Sequence, residues 1–289
     1  MGRFKHSEKD YTTDMLPKNR KEVFRDVFKL HFWKLLACGM ILLIFSLPLH
    51  VSAIVADMYE LSLQQNFMSG AITAEQLAGQ WLSFCNTRGL IEIAFCVILS
   101  IGLASVMRVI RQLAWEENVF MRYDLLKGIK QNVVQYLFIG LIFGIIRLGC
   151  SFFMNNLTGQ DGIPYVGIIV SVISVLLIAP ATMYMLVAVC VYGNKFRHNI
   201  RLGFVMYFKH PFKTLGVCLA CVAIFIPQII PLFSPALVYV HIIFRIVSSL
   251  LSGIILLIWF LFAMSLFDKD INSKHYPELV DRGVLGRKK

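Results

Sequence analysis

Leu90 to Gln112 reads LIEIAFCVILSIGLASVMRVIRQ, with one acid, Glu92, near one end and two arginines, Arg108 and Arg111, near the other. As a helix this run is about 35 Å long, enough to cross the roughly 30 Å hydrocarbon layer of a bilayer. Five further apolar runs, at 33–56, 134–156, 164–192, 214–234 and 238–267, are also long enough to span. The chain therefore reads as all-α, a polytopic membrane bundle of six transmembrane helices.

Composition agrees. Of 289 residues, 57% are hydrophobic and only 16% charged, and the mean hydropathy is +0.69, a balance unlike that of soluble domains. The net charge is +11, yet 24 of the 28 Lys and Arg residues lie in four of the seven segments flanking the runs, counting Arg108 and Arg111 at the adjoining end of their run. Those four are the amino-terminal segment, the two turnarounds near 113–133 and 193–213, and the tail. The segment 57–89 has one basic residue, Arg88, and the remaining two segments have none. Basic residues near span ends stay on the cytoplasmic side, so both termini are expected inside, in a plasma membrane. This spread of charge argues against nucleic acid and for anionic lipid headgroups as the partner. About 30 mostly polar residues precede the first apolar run, so a cleavable signal is not expected.

The expected organisation is a basic cytoplasmic segment with an interfacial helix at 1–32, a six-span domain at 33–267 and a cytoplasmic tail at 268–289. Within the domain, 57–89 is an outer loop and 113–133 and 193–213 are cytoplasmic. A pattern recurs before each odd-numbered span: Phe28-Lys29-Leu30-His31-Phe32, Ile129-Lys130-Gln131-Asn132-Val133 and Phe208-Lys209-His210-Pro211-Phe212. An apolar residue stands four positions earlier each time, at Phe24, Leu125 and Phe204, which is one turn of an amphipathic helix. Three copies of a two-span unit would produce this, as would any helix that lies on a membrane surface before diving inward. Lys29, Lys130 and Lys209 are the candidate contacts to lipid or a partner protein. Pro48, Pro180 and the group Pro227, Pro231 and Pro235 are expected to kink their spans rather than break them.

Ionisable side chains at membrane depth mark either function or internal pairing. Glu92, Arg147, His241 and Arg245 are the candidates, and helical distances place them toward the outer surface, where they can meet. His241, Arg245, Ser248 and Ser252 share one helix face, and Gly140, Gly144, Arg147 and Ser151 share another. Such a cluster either locks the bundle or leaves an arginine free to attract an anionic or polyhydroxylated ligand. Arg108 and Arg111 are expected to snorkel to the inner headgroups.

No catalytic, metal or cofactor motif emerges. The seven cysteines lie nearly all in apolar runs, which does not suit a disulfide framework, and only Cys85 is expected outside. Cys218-x-x-Cys221 has no second pair or histidine to complete a zinc set. Glu116-Glu117 is followed by Arg122 at a spacing that does not fit a membrane-protease motif, and local charge balance is its expected role. Asn156-Leu157-Thr158 is a formal glycosylation sequon. No glycine-rich phosphate-binding loop is present, so any nucleotide hydrolysis would belong to a separate ATPase.

Phe45-Ser46-Leu47-Pro48, Ser100-Ile101-Gly102-Leu103-Ala104, Glu116-Glu117 and Lys130-Gln131-Asn132 resemble the YesL-like family of bacterial membrane proteins, a domain of unknown function. The resemblance covers the first half of the chain, and some fifty residues separate its first two motifs here. It implies an association with carbohydrate uptake and supplies no functional residues. The expectation is an accessory or regulatory component of solute transport. The alternatives are an exporter-type permease subunit and an enzyme acting on a lipid or lipid-linked sugar.

Overall fold

The computed structural model describes residues 16–157, 164–228 and 236–284. The chain is an all-helical membrane protein, with no strand among the described residues. Five helices are long and apolar enough to span a bilayer, or six if one sharply bent pair counts as a span.

Helix α1 runs Arg20–Met68 and starts at Asn19, whose side chain accepts from the backbone N–H groups of Lys21 and Glu22. Its 49 residues extend about 73 Å, more than twice the hydrocarbon thickness. Helix α2, Ala74–Ala114, begins with a capping box between Thr73 and Gln76. The segment expected as an outer loop at 57–89 is thus a helical hairpin, with only 69–73 outside the helices. No glycine or proline lies between Pro48 and Gly70 to stop α1, so it propagates until Gly70 turns the chain at φ +77°. Tyr59 and Phe84 clasp the hairpin with ring centroids 4.5 Å apart.

Helix α3, Met121–Leu157, follows a tight turn at 115–120, so much of the expected cytoplasmic segment 113–133 is helical. Helix α4, Pro164–Ile173, passes through one π turn, Ser174–Ile178, into α5, Ala179–Tyr192. Pro180 has no N–H and would disturb a regular helix. The bulge sits where that disturbance falls. Pro48, by contrast, lies within α1 without non-helical backbone around it. Helix α6, Phe196–Lys209, meets α7, Pro211–Val222, and its 3₁₀ extension Ala223–Gln228 at a 100° bend. Helix α8 spans Ala236–Phe267. Pro231, Pro235 and Thr158 of the sequon lie outside the described residues.

The lead-in motifs behave unequally. His31 leaves helical geometry at φ −126°, ψ 22°, and His210 does so at φ −134°, ψ 51°. The middle copy, with Gln131 in place of histidine, runs on inside α3.

In the bundle α1 packs between α2 and α8, and α3 lies on α2. Helix α5 is buried along most of its length, against α2, α3, α6 and α8. A methyl group on Gly39 would overlap the Leu250 carbonyl, and one on Gly253 would overlap the Leu35 carbonyl. Small residues therefore set the α1–α8 approach. Gly140 and Gly144 do the same for α3 against Cys96, Ser100 and Ile93 of α2. Two of the family-like motifs meet here also, since Gly102 lies against the Phe45 side chain. Large apolar side chains such as Ile44, Val51, Leu141, Ile145, Ile243 and Val247 stay exposed on the bundle's sides, the surface that lipid would cover.

The described part of the tail, to Val284, packs back on the bundle. After α8 it makes a π turn, Asp268–Asn272, one helical turn, α9, at Ser273–His275, and a 3₁₀ turn, Pro277–Leu279. It then returns to the start of α1 and the end of α2. Arg20 donates to Asp268 at 2.6 Å and to the Arg282 carbonyl at 2.6 Å.

Candidate functional site

At the end of the bundle away from Arg20 and Val284, charged side chains form two clusters on different flanks of α1. The first centres on Glu92, 4% exposed. Its Oε1 accepts from Arg88 Nε and from the Ser52 hydroxyl, both at 2.8 Å. Its Oε2 lies 2.8 Å from Arg147 Nε. Arg88 and Glu92 are one turn apart on α2, Arg147 comes from α3 and Ser52 from α1. A cavity of about 130 Å³ adjoins them, lined by Cys85, Arg88, Gly89, Glu92, Arg147 and Ser151.

The second cluster centres on Asp57. Its Oδ2 lies 3.3 Å from Arg245 Nη2 and 3.8 Å from His241 Nδ1. One turn deeper, the Ser248 hydroxyl donates to the Arg245 carbonyl at 3.1 Å. His50 and Ser249 share a hydrogen bond of 2.8 Å between α1 and α8. His241 and Ser248 are buried, so this face of α8 turns inward.

The expected single constellation of Glu92, Arg147, His241 and Arg245 is therefore divided. Ser52 and Asp57 are five positions apart, about 140° around a helix, so α1 presents one to α2 and the other to α8. Asp57 and Arg88 belong to these clusters although the sequence reading assigned both to an outer loop. The signal for Arg88 was its i, i+4 spacing from Glu92. The signal for Asp57 was the lack of a helix breaker after Ala56. Cys85, expected outside, is buried on α2 beside Arg88.

At the basic end, Arg108 and Arg111 do not snorkel. Arg108 is buried, bonds Gln131 and faces Asp124 at 3.6 Å. Asp124 also accepts from Gln112 at 3.0 Å and from the Phe120 N–H at 2.8 Å. Arg111 donates to the Cys190 carbonyl at 2.7 Å and lies 5.0 Å from the centre of the Trp115 ring. These partners lie on α2, α3 and α5, so both guanidiniums tie helices together. Arg282 of the tail lies 4.2 Å from the same Trp115 ring and donates to Glu117 at 2.8 Å.

Lys29 and Lys130 are exposed. Lys209 is not free for a partner, since its Nζ donates to Asp270 at 2.6 Å. His210 Nε2 lies 2.6 Å from the other oxygen of Asp270. Burial alone would raise the pKa of Asp270, but the hydrogen bonds of Lys209 and His210 outweigh it and hold the carboxyl below its ordinary value.

Against this geometry, no protein-family model, curated protein or solved structure matches the chain.

Proposed function

We propose that the chain is a plasma-membrane protein with both termini in the cytoplasm, acting as an accessory or regulatory component beside a solute transporter. The observation that carries this reading is the packed interior of the bundle toward its basic end. Leu35, Cys38, Leu42, Tyr136, Ile139, Leu257 and Phe260 fill it. The cavity by Glu92 and a second one of about 650 Å³, lined by residues including Asn19, Arg20, Asp268 and Val284, share no residue. A solute carrier needs a site reachable from alternate sides. Here the charges near one end are engaged in ion pairs and the other end is latched by the tail. The resemblance to the YesL-like motifs supports carbohydrate as the solute class. At the basic end, Lys29 and Lys130 lie close in sequence to the exposed Phe28, Leu30, Trp33 and Tyr123, a mixture suited to an anionic leaflet or a partner's membrane face.

The test is affinity purification of the full chain from native membranes in mild detergent, followed by mass spectrometry. A sugar-permease subunit recovered at stoichiometric level is the expected result. Recovery of the chain alone would overturn it.

One observation favours a second reading, an exporter-type permease subunit. The 100° elbow between α6 and α7 carries Arg197, Arg201 and the exposed Phe208 and Phe212, a shape able to receive a soluble ATPase. Stoichiometric recovery of an ATPase in the same experiment would select it. An enzymatic role finds less support, because Glu92 is held by two arginines and His241 stands in the other cluster.

A further inference from the structure

Two arginines face one carboxylate beside the 130 Å³ cavity, and their charges do not cancel. Arg88 and Arg147 each reach Glu92 through Nε. Among the described residues, the terminal nitrogens of neither guanidinium have a partner. Glu92 therefore orients both side chains and leaves both donor forks unused. The Arg147 side chain is 43% exposed and that of Arg88 21% exposed, so the cavity can be reached from outside the bundle.

We propose that Arg88 and Arg147 form a binding site for one phosphate group seated in this cavity. A guanidinium fork matches two oxygens of a phosphate, and two forks from different helices suit a tetrahedral group better than a planar carboxylate. The cavity, with roughly four times a water molecule's share of liquid volume, has room for one phosphate group and not for a whole nucleotide. Depth agrees as well. Glu92 and Arg111 are 19 positions apart on α2, about 28 Å along the helix, so the site lies at headgroup level in the leaflet opposite the basic end. The phosphate is either that of a phospholipid headgroup or a free ion. The site requires neither transport reading.

The test uses the full chain in phosphate-free maltoside detergent, with inorganic phosphate titrated calorimetrically and phosphatidylglycerol titrated under native mass spectrometry. One equivalent of either probe is expected to bind. Preference for phosphatidylglycerol identifies a headgroup, and preference for inorganic phosphate identifies a free ion. Arg147→Gln is expected to weaken binding at least about tenfold, the loss of one charge-assisted bond. Glu92→Gln, which removes the opposing charge, is expected to tighten it. Should Arg147→Gln fail to fold, Arg147→Lys keeps the charge facing Glu92 but lacks the fork, and about a tenfold loss is again expected. Failure of both probes to bind, or affinity unchanged in the Arg147 variant that folds, would overturn the proposal.

Discussion

Asp124 shows how much of the molecule's order rests on single buried charges. It is 2% exposed, and its carboxylate is the described negative charge facing the buried Arg108. Removing one partner of a buried pair leaves the other charge uncompensated and costs about 3–5 kcal/mol. Asp124→Ala should therefore lower stability by about that amount, and pairing it with Arg108→Met should recover a large part. Thermal unfolding in detergent, followed by tryptophan fluorescence, checks both; an unchanged midpoint in the single variant would mean that Arg108 is hydrated and needs no partner. The sequence placed Arg108 at a span end but carried no sign that Asp124 and Gln131 fold back over it from the next helix. Glu92 was legible as an intramembrane charge, whereas its partners had to come from three helices. Asp270 adds a dependence on pH. A carboxyl held below its ordinary value contributes stability that is complete above the unfolded value near 4 and is lost as pH falls through the lower, folded value. The wild-type unfolding midpoint is expected to drop as pH falls below about 4, and Asp270→Asn should show a smaller drop over the same range. Equal drops would remove Asp270 as the cause.

Between elements, the crossing of α1 and α8 depends on two glycines at one contact, each facing the other helix's backbone. Gly39→Ala must push the helices apart, because the obstacle is a carbonyl that cannot rotate away. Overpacking of this kind costs about 1–3 kcal/mol. Gly149→Ala is the matched control, since nothing described lies within 4 Å of its added methyl. Melting temperature and elution profile in detergent should change for Gly39→Ala and not for Gly149→Ala; equal behaviour would place the constraint elsewhere. The six apolar runs were legible because hydrocarbon thickness sets helix length. Their continuations were not. Residues 57–68 and 74–89 are polar enough to read as loop, yet they lack helix breakers apart from Gly79 and Gly89 and pair along the hairpin through Tyr59, Trp81 and Phe84. The α6–α7 elbow was legible in part, because Pro211 cannot continue α6 in register. The gentler break at His31, with no proline beside it, was not.

For the whole molecule, the hairpin and the charge distribution bear on one question of orientation. Beyond the level of Asp57 and Glu92, α1 and α2 continue for 11 and 18 residues, about 16 and 27 Å. The turn at 69–73 must therefore stand clear of the bilayer on the side opposite the basic end. On the proposed topology, with positive charge retained inside, that side is the exterior. Ser69→Cys should accordingly react with a membrane-impermeant maleimide in intact cells, whereas Lys130→Cys should react only after permeabilisation. The background is low, because none of the seven native cysteines is exposed. The reverse pattern would place the basic end outside. It would also move the Arg88–Arg147 site to the cytoplasmic leaflet, where a phosphate bound there would come from the inner headgroups or the cytosol. The latch opposes translocation of one end alone. Arg20, Asp268, Arg282 and Glu117 join the start of α1, the tail and the α2–α3 turn, so a chain with the tail alone translocated would lose every one of these bonds together.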